Sequence, residues 1–286
     1  MLFLILSILF STLLFVIFKY FELYKVNVLQ AIIVNYIVAF VMGMFSVKAY
    51  GKLFSIASQP WFYYALFLGL LFVTIFFAMA KTAQKNGVSV ASIASKMSVV
   101  IPVTFGVILY NESVSFLKVV GIIIALIAVY LSSVKDDKIN TKASLFFPLV
   151  LFLGSGAIDT ALKYVEANFV AKNEVAFFSG SLFGFAACFG IVILLSRQFV
   201  HKEKFQFKSI IAGVVLGIPN YYSIVFLIKA LQNKNVESST LFTINNVGIV
   251  VMSTIVGLLL FKESFSAKNK IGIALAILGI ILVYVA

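Results

Sequence analysis

GVILYNESVSFLKVVGIIIALIAVYL, residues 106–131, returns as GLLLFKESFSAKNKIGIALAILGIIL at residues 257–282. At a constant offset of 151, Gly106, Leu109, Glu112, Ser113, Ser115, Gly121, Ile122, Ala125 and Leu131 all recur. The likeness continues upstream in shifted register. Lys81 and Gln84 stand against Lys229 and Gln232, and KYFE (19–22) stands against KYVE (163–166). A chain that repeats itself at this spacing is built from two copies of one structural unit.

The composition says what kind of unit. Of 286 residues, 63% are hydrophobic and only 11% are charged, more apolar surface than a soluble core of this size absorbs. The excess reads as lipid-facing surface. The net charge of +12 is no nucleic-acid footprint, because the basic residues sit in short gaps between apolar runs, at headgroup level. Cys188, the single cysteine, allows no internal disulfide. The first 18 residues carry no basic n-region and no small-residue cleavage site, so they read as a retained helix.

About 20 apolar residues cross the ~30 Å hydrocarbon layer. Ten such runs are predicted: 1–20, 28–47, 60–82, 88–110, 115–134, 144–165, 174–196, 207–231, 236–261 and 267–286. Five fall in each half, joined by KDDKINTK (135–142). A unit with an odd number of crossings, repeated in tandem, enters the bilayer upside down the second time. The expected fold is therefore an all-α membrane protein, ten transmembrane helices arranged as two inverted five-helix repeats. The repeats span residues 1–134 and 144–286, with a linker at 135–143. No connection is long enough for an extramembrane domain. Gln59-Pro60-Trp61 opens the third run, with the proline in its first turn and the tryptophan at headgroup depth.

With the doubled unit and its Glu- and Gly-bearing closing segments in view, the chain resembles the EamA-type, ten-helix permeases of the drug/metabolite transporter superfamily. Glu112 and Glu263 fall on the family's glutamate, and Gly121 and Gly272 on its glycine. The family's proline is present once, at Pro102; its repeat partner is Ser253. The resemblance implies both termini in the cytoplasm. The lysine and arginine count favours the reverse, since the loops that are cytoplasmic with the N-terminus outside hold twice the basic residues of the other face.

Polar groups inside spans are costly unless they face protein or water. Lys96 lies on one helix stripe with Ser89, Ser92 and Ser95. Asp159 is the acid well inside a span, and Asn35, Asn220, Asn245 and Asn246 are the other strong polar groups. Pro219 frees a carbonyl one turn before itself, next to Tyr221 and Tyr222. At ~1.5 Å per residue, Asn35 lies ~10 Å deep, Lys96 ~12 Å, the asparagine pair ~15 Å, and Asp159 and Asn220 ~20–22 Å. Lys96, Asp159, Asn35, Asn220, Tyr221, Asn245 and Asn246 thus form a band fit for a central substrate or ion pathway.

Each of these has a simpler structural reading. Asp159 has Lys163 one turn on, Lys96 can snorkel, and the asparagines can join helices. Glu112 and Glu263 sit where capping is the simpler role. Ser179-Gly180…Gly184 and Gly213…Gly217 are small-residue faces for close helix packing. No metal-ligand spacing is present, no cofactor is expected, and HExxH and Walker sequences are absent, so no enzyme is expected.

The expectation is a secondary-active carrier in the cell membrane. It would export small metabolites, amino-acid-like or other small organic solutes, by alternating access, coupled to protons or a counter-solute, as a monomer or homodimer. The alternatives are a flippase for a lipid-linked substrate and a non-transporting membrane scaffold.

Overall fold

The computed structural model describes residues 2–46, 49–102, 104–105, 115–133, 141–171, 174–201, 204–231 and 238–285. Among them are ten α-helices and no strand. They are α1 (Leu2–Leu23), α2 (Val28–Ser46), α3 (Phe62–Lys85), α4 (Val88–Met97), α5 (Phe116–Ser133), α6 (Thr141–Phe169), α7 (Val175–His201), α8 (Phe207–Leu231), α9 (Ser238–Phe261) and α10 (Ala267–Val285). Seven helical stretches, in α1, α2, α3, α6, α7, α8 and α9, are long and apolar enough to cross a bilayer. Helices are the expected form, because in lipid every backbone N–H and C=O must be satisfied within the segment.

Two local features depart from the sequence reading. A 3-10 segment, Ala49–Ser58, fills what reads as an open loop. The run predicted at 88–110 is helical to Met97, turns at Ser98–Val99 and resumes at Val100; residues 106–114, including Glu112, lie outside the described residues. The structure adds the surroundings of Trp61. The residue is fully buried, its ring edge-on to Phe177 and Phe178 of α7 at 5.7 and 5.2 Å, because an aromatic ring gains more from close ring packing than from partial hydration.

The chain packs as two compact units, and neither is a sequence half. One holds Met1–Tyr20, Ala78–Ala157 and Tyr222–Ala286; the other holds Phe21–Phe77 and Ile158–Tyr221. Each unit takes helices from both repeats.

In the first unit, α5 and α10, the two closing helices, lie on each other. The Asn269 side chain near the start of α10 donates to the Leu131 carbonyl near the end of α5 (3.1 Å), while Gly279 further along lies against Ala125. The two therefore run antiparallel. The pair α4 and α9 does the same, as detailed below. The Lys19 ammonium of α1 reaches the Gln84 carbonyl at the end of α3 (2.6 Å), where the helix dipole favours a cation.

In the second unit, α2 meets α7 through Ile33 at Gly190, Phe40 at Gly184 and Gly43 at Gly180. This pair is antiparallel too, and its small residues let the backbones approach closely. Gly213 and Gly217 of α8 seat Val34 and Val38 of α2 in the same way. Three helices of one repeat thus each lie antiparallel to their counterpart in the other, which is what an inverted repeat requires.

Candidate substrate site

The register of α4 against α9 positions the polar residues of the first unit. Ser89 Oγ donates to Glu263 Oε2 (3.2 Å), and a Cβ on Gly257 would stand 2.8 Å from that same hydroxyl. Three residues further along α4, the Ser92 hydroxyl bonds the Ser253 hydroxyl of α9. Moving up α4 from Ser89 to Ser92 therefore moves back along α9 from Gly257 to Ser253. One more turn brings Lys96, on the same stripe, level with Ile249, about 17 Å from either end of α9. This is deeper than the ~12 Å counted from the start of α4, because α9 extends beyond that start before it ends at Phe261.

Asn246, two turns before Ser253, lies on the α9 face turned to α4; Asn245 shares the other face with Gly248. Gly248 rests on Ile8 of α1, and Tyr20 of α1 packs on Phe261 with centroids 5.2 Å apart. Helices α1 and α9 are therefore parallel, and Thr12, on the stripe of Ile8 and Tyr20, comes level with Met252.

Hydrogen bonding separates the candidates. Asn245 is 3% exposed and Thr12 4% exposed, yet Asn245 Oδ1 and Thr12 Oγ1 have no partner among the described residues. Each such group costs about 1–3 kcal/mol. Lys96 is half-buried and Asn246 is buried. In the second unit Asn220 Nδ2 donates to Asn35 Oδ1 (3.1 Å), a buried bond joining α8 to α2. That bond gives the Asn35 carbonyl oxygen a protein partner and leaves Asn35 Nδ2 without one among the described residues. Tyr221 is half-buried and Asp159 lies on an exposed face of α6, both in the second unit. The structure thus groups Lys96, Asn245 and Asn246 in one unit, and Asn35, Asn220, Asp159 and Tyr221 in the other.

Glu263 has a defined structural role. Its Oε1 accepts the Val88 N–H (2.7 Å) at the first turn of α4 while Oε2 accepts from Ser89. A carboxylate on exposed helix-start N–H groups is a charge-assisted cap. Two glycines make room for it. Gly87 takes a φ of 113° and has the carboxylate 2.8 Å from where a Cβ would sit; at Gly257 that distance is 2.5 Å. Lys262 in left-handed backbone (φ 49°) turns the chain out of α9 so that the Glu263 N–H returns to the Gly257 carbonyl (3.0 Å).

Sequence reading missed Thr12, since a threonine in an apolar helix ordinarily satisfies itself. Thr74, Thr82, Thr104 and Thr254 all do so, donating to the carbonyl one turn back at 2.7–2.9 Å. The absence of that bond at Thr12 is visible only in three dimensions.

A multi-pass membrane protein of paired inverted helices, with polar groups at mid-span, is the architecture of a membrane transporter. The sequence profile of the EamA-like transporter family matches residues 1–134. An uncharacterized protein of Haemophilus influenzae is 30% identical over 266 residues, covering 89% of this chain and 88% of its own length. A solved crystal structure aligns with 97% of this chain and 96% of its own at a TM-score of 0.58 and 16% identity, a likeness of fold alone. The chain belongs to the EamA-like transporter family, within the drug/metabolite transporter superfamily.

Proposed function

We propose that this transporter is a secondary-active exporter of small organic solutes bearing an anionic group. It works by alternating access in the cell membrane, with proton or counter-solute coupling. Its two repeats are residues 1–134 and 144–286, joined at 135–143. The observation that carries the reading is the α4–α9 register. It brings Lys96 level with the middle of α9, and an ionisable residue well inside a span marks a solute or ion pathway by default. In this role Lys96 attracts a carboxylate or similar anion. Asn245 and Asn246 orient the solute, and Asp159 of the second unit takes part in proton exchange. Asn35, Asn220 and Tyr221 belong to the pathway through the second unit.

The α4 break supports a cycle. Inverted repeats alternate when equivalent helices adopt different shapes, and α4 turns at Ser98–Val99 where α9 stays helical.

The test begins with an untargeted comparison of intracellular and extracellular small molecules, with and without overexpression. The exported compounds are then followed in proteoliposomes. Lys96→Ala is expected to lower transport about tenfold to a hundredfold at normal expression, the loss of one charged hydrogen-bond partner. Unchanged transport in Lys96→Ala and Asp159→Ala alike would remove both residues from the mechanism.

A further inference from the structure

Thr12 and Asn245 share three properties. Both are at least nine-tenths buried, both hold an oxygen without a partner among the described residues, and both belong to the first unit, on helices α1 and α9, which meet at Ile8–Gly248 and Tyr20–Phe261. The parallel register of these helices places Asn245 seven residues of α9 below the level of Thr12, a separation of about 10 Å. The level of Lys96, at Ile249, falls between them.

Several other buried hydroxyls of this unit are satisfied among the described residues. Ser7 Oγ donates to the Ser223 carbonyl (3.1 Å), Ser92 and Ser253 bond each other, and Thr82 bonds its own helix. A valine at 12 and a leucine at 245 would fill the same space with no orphaned oxygen. The two open acceptors therefore mark where something polar enters the unit.

Resting on the carrier reading above, we infer that Thr12 and Asn245 are substrate-binding residues lining a hydrated subsite along α1 and α9. The Asn245 carbonyl oxygen accepts an N–H or O–H from the solute, and the Thr12 hydroxyl bonds its other polar end. The Lys96 ammonium, at the intermediate level, takes the anion. The solute this arrangement selects is a small organic anion that also carries hydrogen-bonding groups. A purely apolar anion would leave both oxygens unanswered.

The experiment uses the single native cysteine to advantage, since Cys188→Ser yields a cysteine-free chain. Thr12→Cys, Asn245→Cys and, as a control, Leu13→Cys are introduced singly. Leu13 is apolar and 39% exposed on the neighbouring face of α1. Each protein in proteoliposomes is treated with a small, cationic, membrane-impermeant thiosulfonate, which needs a water-borne thiolate to react. Cysteines at 12 and 245 are expected to react at least tenfold faster than cysteine at 13. If both stay inert in the membrane but react once unfolded in detergent, the subsite does not exist.

Thr12→Ser and Thr12→Val provide the second measurement, with the exported compounds as probes. The serine is expected to keep the wild-type KM and the valine to raise it about tenfold; equal KM values overturn the role of the hydroxyl. Labelling does not depend on transport, so the two readings fail separately. Inert cysteines with intact transport by the unsubstituted protein sink the subsite alone, whereas reactive cysteines with no transport by the unsubstituted protein sink the carrier reading.

Discussion

Helices α4 and α9 are counterparts in the two repeats, yet they differ in shape. Helix α9 is unbroken from Ser238 to Phe261, while α4 stops at Met97 and turns before resuming at Val100. At the offset of 151, Pro102 in the first copy stands where Ser253 stands in the second. A proline has no N–H for the carbonyl one turn earlier, and its ring crowds that carbonyl. The carbonyl in question is that of Ser98, which accepts instead from the Ile101 N–H (2.9 Å) in a tighter turn. Ser253 keeps its N–H, and its hydroxyl joins the two helices through Ser92. One residue therefore makes the same pattern an interrupted helix in one copy and a continuous, cross-linked one in the other.

The comparison can be broken hardest by making the second copy like the first. Ser253→Pro is expected to interrupt α9 and lose the Ser92 bond, costing about 3 kcal/mol or more, read as a large fall in Tm in detergent. A thermal unfolding curve unmoved by this change would show that α9 already tolerates a break there.

The cap at the foot of α4 should matter less. Glu263→Ala is expected to cost about 1–2 kcal/mol by exposing the Val88 N–H, with Glu263→Gln recovering part of it. Gly257→Ala should reproduce the loss, since its methyl would enter the space of the carboxylate and of Ser89 Oγ. If Glu263→Ala and wild type melt together, the carboxylate does not hold the helix.

The smallest effect is expected from Ser92→Ala, which removes one interhelical hydroxyl bond at about 0.6 kcal/mol and leaves Ser253 bonded to the Val250 carbonyl. A double-mutant cycle of Ser92→Ala with Ser253→Ala measures that coupling directly. A coupling near zero would make the α4–α9 crossing a matter of shape alone.

Legibility followed the kind of information each position carried. Glu263 was visible as a recurring residue, and its cap was the role its boundary position favoured, because helix-end chemistry is local. Asn35 and Asn220 were visible as polar residues, but their bond to each other joins positions far apart in the chain. Trp61 is a related case. A tryptophan after a proline at a helix start fits an interface equally well, and only the arrival of Phe177 and Phe178 decides for burial. Thr12 gave no signal, since its meaning lies in a bond it does not make.

By itself the sequence determined the membrane class, the places of ten helices and the parity of five per copy, because run length and charge placement are one-dimensional properties that lipid reads directly. It also carried the inversion, since an odd count leaves no other way in. Tertiary structure decided which helices share a unit, and it cut across the repeats: α2 lies with α7, α4 with α9 and α5 with α10. The physical reason is that these helices are apolar on nearly every side. A soluble helix announces its neighbour by one greasy face; here that contrast is gone, and the choice passes to small residues, shape and a few buried hydrogen bonds.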